Sequence, residues 1–148
     1  VPKFALSVRG PGRLSSNGEY LAVIINFGRD VAVYRVADLP ENSTPSVVPN
    51  ARGNPERGFN LPGSAMVAQG HLFVADTCFN RVLIWTKIGD ALAGKTADVV
   101  LGASDLRDIT PEIGQDKLFW PATLAFDGSY LWVGEFKFSE RILRFSVH

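Results

Sequence analysis

The chain has 148 residues, 46% of them hydrophobic and 20% charged, with 15 basic and 15 acidic side chains. That length supports one domain with a sizeable core, and that composition is globular rather than disordered. A net charge of zero provides no general attraction to nucleic acid or an anionic membrane, no apolar run approaches the ~20 residues that span a bilayer, and a single cysteine, Cys78, excludes an internal disulfide framework and a cysteine-based metal site.

Val1 stands where an initiator methionine would, so the sequence reads as a processed chain or a piece of a longer one. No basic-then-apolar opening of the signal-peptide kind is present in these residues. The first apolar run, "FALSV" at residues 4–8, reads as a strand with no partner beside it. From Gly10 the chain repeats itself. The segment Gly10 to Val36 carries two apolar runs, "YLAVII" and "VAVYRV", around a short polar loop. Residues 46–48 supply a further strand, and a long connection runs from Pro49 to Asn60.

The second copy, Phe59 to Trp85, is the clearest. It holds a strand near 64–68, the turn "QG", then "HLFVA" and "RVLIW", with a fourth strand at 98–101. After a second long connection, Ala103 to Trp120, the third copy runs from Phe119 to Phe145. Its strands are expected at 122–126, "YLWVG" and "RILRFSV". Pro62, Leu72 and Val74 recur 59 positions later as Pro121, Leu131 and Val133, and Asp76 recurs as Glu135. Arg81 recurs one residue further on as Arg141. In the first copy Asp30 takes the place of Arg81, and Asn26 stands one residue past the place of Asp76. The expected units are therefore about 10–48, 59–101 and 119–148. Such continuously apolar strands suit sheets covered on both faces. Small antiparallel sheets of that kind must stack, which is the logic of a β-propeller with four-stranded blades. A sandwich would show alternating strands instead.

"LPGSAMVAQGHLFVADTCFNRVLIW" resembles an NHL repeat, with its proline, its L-x-V-x-D strand and its N-R-V followed by an aromatic. "ADVVLGASDL" is similar to the link between blades in bacterial NHL-type proteins. The third copy departs from the pattern, with Glu135 for the aspartate and Glu140 for the asparagine before Arg141. The resemblance covers most of the chain. It implies an all-β propeller with three blades in this chain, and it points toward an extracytoplasmic setting while leaving the compartment open. It implies no particular activity, because such propellers serve as binding scaffolds and as enzymes.

Candidate residues follow from the repeat. Asp76, Asn80, Arg81, Glu135 and Arg141 recur, so they are expected to be structural, fixing the loop between the second and third strands. Cys78 in that loop reads as a bystander thiol, since His71 sits at the far end of the preceding strand. "GDALAGKT", Gly89 to Thr96, matches the phosphate-loop pattern, but the β-branched "ADVVLG" after it does not make the required helix. Asp105, Asp108, Glu112 and Asp116 offer calcium-type oxygens without a calcium-loop spacing. Asn42-Ser43-Thr44 is a glycosylation pattern. No catalytic residue and no metal ligand are assigned.

The face carrying the second-to-third loops and the long connections is the expected binding surface, with Arg29, Arg57, Phe79, Trp120, Phe136, Lys137 and Phe138 on it. The favoured function is a non-catalytic binding or assembly module without a cofactor, its ligand a protein or a small molecule. The alternative is a propeller hydrolase or lyase with calcium or zinc in the central channel. Three blades form only an arc, so a partner is expected. Two copies would close a six-bladed ring, each lending strand 4–8 to the other's last blade, or the other half lies in a longer chain.

Overall fold

Each group of apolar runs closes its own antiparallel sheet in the computed structural model, which describes residues 3–147. Val1, Pro2 and His148 lie outside the described residues. Sheet I holds β1 (Leu14–Ser16), β2 (Tyr20–Ile25), β3 (Asp30–Arg35) and β4 (Ser46–Val47), in that spatial order. Sheet II holds β5 (Ser64–Ala68), β6 (His71–Asp76), β7 (Arg81–Trp85) and β8 (Val99–Leu101), again in chain order. Sheet III has three strands, β9 (Pro121–Phe126), β10 (Tyr130–Glu135) and β11 (Ile142–Ser146), with β10 central.

The hairpins follow from local chemistry. Gln69 and Gly70 both take positive φ, +50° and +76°, as a two-residue turn between twisted strands requires. Asn17 and Asp127 each accept two backbone N–H groups from the residues just after them, which folds the "SNGEY" and "DGSY" turns.

The sheets stack face on face. Ala22, Ile24, Val31 and Val33 of sheet I pack against Ala65, Val67, Leu72, Val74, Leu83 and Trp85 of sheet II. The other face of sheet II, with Met66, Phe73, Val82 and Ile84, packs against Leu131 and Val133 of sheet III. Every residue of β7 is buried, which is why "RVLIW" shows no alternation. The burial of β10 and β11 alternates instead, because only one face of sheet III is covered.

Three features differ from the sequence reading. Residues 4–8 form no ladder among the described residues; Leu6 and Val8 lie instead over the outer face of sheet I, on Val23, Ile25, Ala32 and Tyr34. The short polar strand β1 is set by its ladder to β2, with Leu14 opposite Val23, and its "LSS" composition gives no strand signal. A five-residue helix, α1 (Ile88–Leu92), fills the β7–β8 connection. No helix among the described residues is long and apolar enough to cross a membrane.

Candidate functional site

The stretch between β6 and β7 is a single 3₁₀ turn, Thr77–Phe79, closed by Asn80 in the left-handed conformation at φ +57°. Asparagine tolerates that conformation, and the turn sets Arg81 directly across the ladder from Asp76. Both side chains are fully buried, and Arg81 Nε donates to Asp76 Oδ2 at 2.8 Å. Asp76 Oδ1 accepts the Asn60 N–H at 2.6 Å. The remaining guanidinium donors reach main-chain carbonyls: Pro55 at 2.7 Å, Gly58 at 3.1 Å, and Leu106. One arginine thus binds the end of sheet II to the loop before it and the loop after it. Gly58 is required there, since a Cβ would meet Ala51 O at 2.2 Å. Burial pushes the Asp76 carboxyl up to about 6, opposed by the Asn60 N–H and the Arg81 charge. Desolvating two ions costs several kcal/mol each, and this cluster offsets part of it by giving every charged group hydrogen-bonded partners.

Sheet III repeats the arrangement 59 or 60 positions on. Arg141 Nε donates to Glu135, Glu135 accepts the Phe119 N–H, and the guanidinium reaches the carbonyls of Gly114 at 2.8 Å and Lys117 at 3.2 Å. These positions match Pro55 and Gly58. No counterpart of Leu106 is present among the described residues, and the Arg141 side chain is 26% exposed. Sheet I reverses the charges: Asp30 occupies the arginine position, and Arg52 and Asn50 reach it from the following loop, joined by Asn26. Hydrogen bonds from these partners draw the Asp30 carboxyl below its usual range, against the burial that acts first and raises it. Asn50 and Arg52 escaped the sequence reading, because a partner drawn from a loop leaves no ladder spacing to follow.

Asn80 does more than turn the chain: its amide donates to Ile109 O at 3.0 Å and accepts the Trp120 N–H at 3.1 Å, so it pins the long second connection. Cys78 is half-buried, with its thiol pushed up first by burial and then by the Asp76 charge, so it is poorly nucleophilic. His71 opens the other end of β6, edge-on to Phe73. In "GDALAGKT" the helix begins one residue before the motif and ends within it, Lys95 Nζ pairs with Asp90 at 3.0 Å, and the chain then enters β8, so no helix follows the motif to present its N-terminus to a phosphate. Asp105 and Asp108 accept backbone N–H groups of their own loop, and Lys117 adds an ion pair to Asp108. Those bonds hold the Asp108 carboxyl well below its usual range. Among the described residues no three His, Cys, Asp or Glu side chains gather as a metal site. Asn42 accepts the Thr44 N–H in an exposed turn.

The seven expected surface residues do not form one patch. Trp120, Lys137 and Phe138 come together: the Trp120 and Phe138 rings meet edge-on at 5.5 Å, and Lys137 Nζ lies 5.4 Å from each. Phe119 supports Phe138 at 4.9 Å, and Phe136 is exposed alongside. Lys137 and Phe138 hold positive φ, +72° and +63°, which turns both outward from the β10–β11 connection. Phe136, Lys137 and Arg141 also line an open groove of about 560 Å³. Arg29 and Arg57 are exposed elsewhere, beside Leu61 and Trp85 respectively. Phe79 is a correction: it is buried beneath the Arg81 guanidinium, 5.3 Å from ring to Cζ, and does not reach the surface. A different cavity, of about 210 Å³, lies where the first strands of the sheets approach, lined by Arg13, Ser15, Ser64 and Thr123 among others. Arg13 closes one side of it through a 2.9 Å bond to Ala122 O. Comparison with protein-family models and with curated proteins gives no match for this chain.

Proposed function

We propose that the chain is a non-catalytic binding and assembly module, built as three blades of an NHL-like β-propeller, with the Trp120–Phe136–Lys137–Phe138 patch as its ligand surface. The observation that carries this is the fate of the charged residues. Asp76, Arg81, Glu135 and Arg141, the groups most like reactive chemistry in the sequence, are engaged in clamping backbone, and Asp76 and Arg81 are closed to solvent. The exposed chemistry is instead aromatic and cationic, on a loop borne by a rigid sheet, and suits a partner with an acidic or aromatic group. The strand order within the sheets, the face-to-face stacking and the proximity of β1, β5 and β9 support the propeller reading. The reading as a hydrolase or lyase with a channel metal needs donor groups, and the lining of the cavity between the first strands offers neither carboxylate nor imidazole.

Amide chemical-shift mapping against a library of short peptides and small acids tests this. Binders should perturb residues 119–120 and 136–138 together. Hits clustered on Arg13, Ser64 and Thr123, or calcium or zinc retained stoichiometrically by purified protein, would overturn it.

A further inference from the structure

Sheets I and II each press a whole face onto the next sheet, whereas the outer face of sheet III presses on nothing among the described residues. The residues that sheet II buries against sheet III include Phe73, Val82 and Ile84. Their counterparts in sheet III are Trp132, Ile142 and Arg144, and they stand exposed, Ile142 at 76%. The same end lacks two further things that sheet II has. Among the described residues, β11 has no outer strand where β7 has β8, and Arg141 takes no carbonyl from a following segment where Arg81 takes that of Leu106. The groove of about 560 Å³ opens at that point, beside Arg141 and Ile142.

The two internal junctions show what kind of surface fits such an end. Each receiving face carries a leucine, a valine and an aromatic at matching ladder positions: Leu72, Val74 and Trp85 in sheet II, Leu131, Val133 and Phe145 in sheet III. Sheet I carries the same set, Leu21, Val23 and Tyr34, on the face turned away from sheet II. Leu14 lies opposite Val23 in the ladder, shares that side of the sheet and is 65% exposed. In the single chain this face receives no sheet. It is covered by Leu6, Val8 and Leu39, from segments without ladder bonds.

We propose that two copies of this chain assemble end to end about a twofold axis, the exposed face of sheet III in each packing on the Leu21–Val23–Tyr34 face of the other's sheet I. The chain thus carries both halves of the junction that it already makes twice internally, at opposite ends of its stack. Residues 4–8 leave the sheet I face on assembly and lie along the open edge of the partner's β11, which covers an otherwise bare strand edge. The inference rests on reading the three sheets as copies of one unit, and it does not depend on which ligand the aromatic patch takes.

Sedimentation equilibrium of the 148-residue chain at micromolar concentration tests it, with a dimer expected. Ile142→Glu and Leu14→Glu alter side chains that are exposed in the single chain, so each should yield a folded monomer with unchanged circular dichroism. Mixing the two variants should restore a heterodimer, because one of its two junctions is then wild type. A wild-type monomer would overturn the proposal and assign the face to another occupant. So would a dimer that Ile142→Glu abolishes and Leu14→Glu leaves intact, since sheet III would then be packing on itself. Removal of residues 1–9 should weaken the dimer by about tenfold or more, and equal affinity would overturn the exchange of residues 4–8. A monomer that still binds ligands at residues 119–120 and 136–138 would leave the proposed function standing while this inference fails.

Discussion

Arg81 and Arg141 occupy the same place in two copies of one unit, yet one is fully buried and the other is 26% exposed. The local sequence does not account for the difference, since both face a carboxylate across the ladder and both reach the carbonyls of the preceding connection. Arg81 also has a segment after it, and Leu106 closes its last side. The environment of a repeated residue is therefore set by its neighbours in the stack as much as by its own unit. Sheets II and III repeat the lesson at larger scale: β7 is buried at every residue, while β11 alternates between half-buried and exposed residues.

That contrast can be broken by substitution, with all measurements made by urea denaturation in the Ile142→Glu background so that assembly does not contribute. Arg81→Ala leaves a buried carboxylate and three carbonyls without their donor, and should cost about 3–5 kcal/mol. Arg141→Ala should cost about 1–2 kcal/mol, because water reaches the groups it abandons. Equal losses would show that sheet III is as enclosed as sheet II. Phe73→Ala empties a fully buried site and should cost about 3–5 kcal/mol, whereas Trp132→Ala, at the matching position of sheet III, should cost about 1 kcal/mol or less. A large loss at Trp132 in the monomer would mean that the outer face of sheet III is packed after all.

The smallest effect concerns acid. The folded pKa of Asp108 lies below its unfolded value of about 3.9, so its stabilisation is complete above that pH and is lost as pH falls further. Asp76 runs the other way: its folded pKa of about 6 exceeds the unfolded one, so its share of stability declines as pH rises from about 4 to 6. Asp108→Asn should therefore flatten the loss of stability below about pH 4, where its stabilisation is lost, and leave the slope from about 4 to 6 unchanged. An unchanged acid limb would show that the Ser104 and Thr110 contacts are not maintained in solution.

The apolar strands, the hairpins and the repeat were legible in the sequence because each rests on local chemistry: apolar runs, left-handed turn residues, and a carboxylate and an arginine five or six positions apart. The pairing of Asp76 with Arg81 and of Glu135 with Arg141 belongs to that class. The partners of those pairs were not legible. Pro55, Gly58, Leu106, Gly114 and Lys117 contribute carbonyl oxygens, which every residue possesses and which no side-chain pattern marks. Nor could sequence separate Phe79 from Phe138, two phenylalanines in equivalent loops, one buried under a guanidinium and one exposed beside a lysine. The sequence by itself determined the apolar strands of the three sheets and which charges meet across a turn, since those interactions act over a few positions of the chain, whereas β1 and residues 4–8 took their form from the sheet they lie against. Only the tertiary structure decided which faces are covered, because burial depends on what a distant segment lays over a surface, and that is a property of the whole stack.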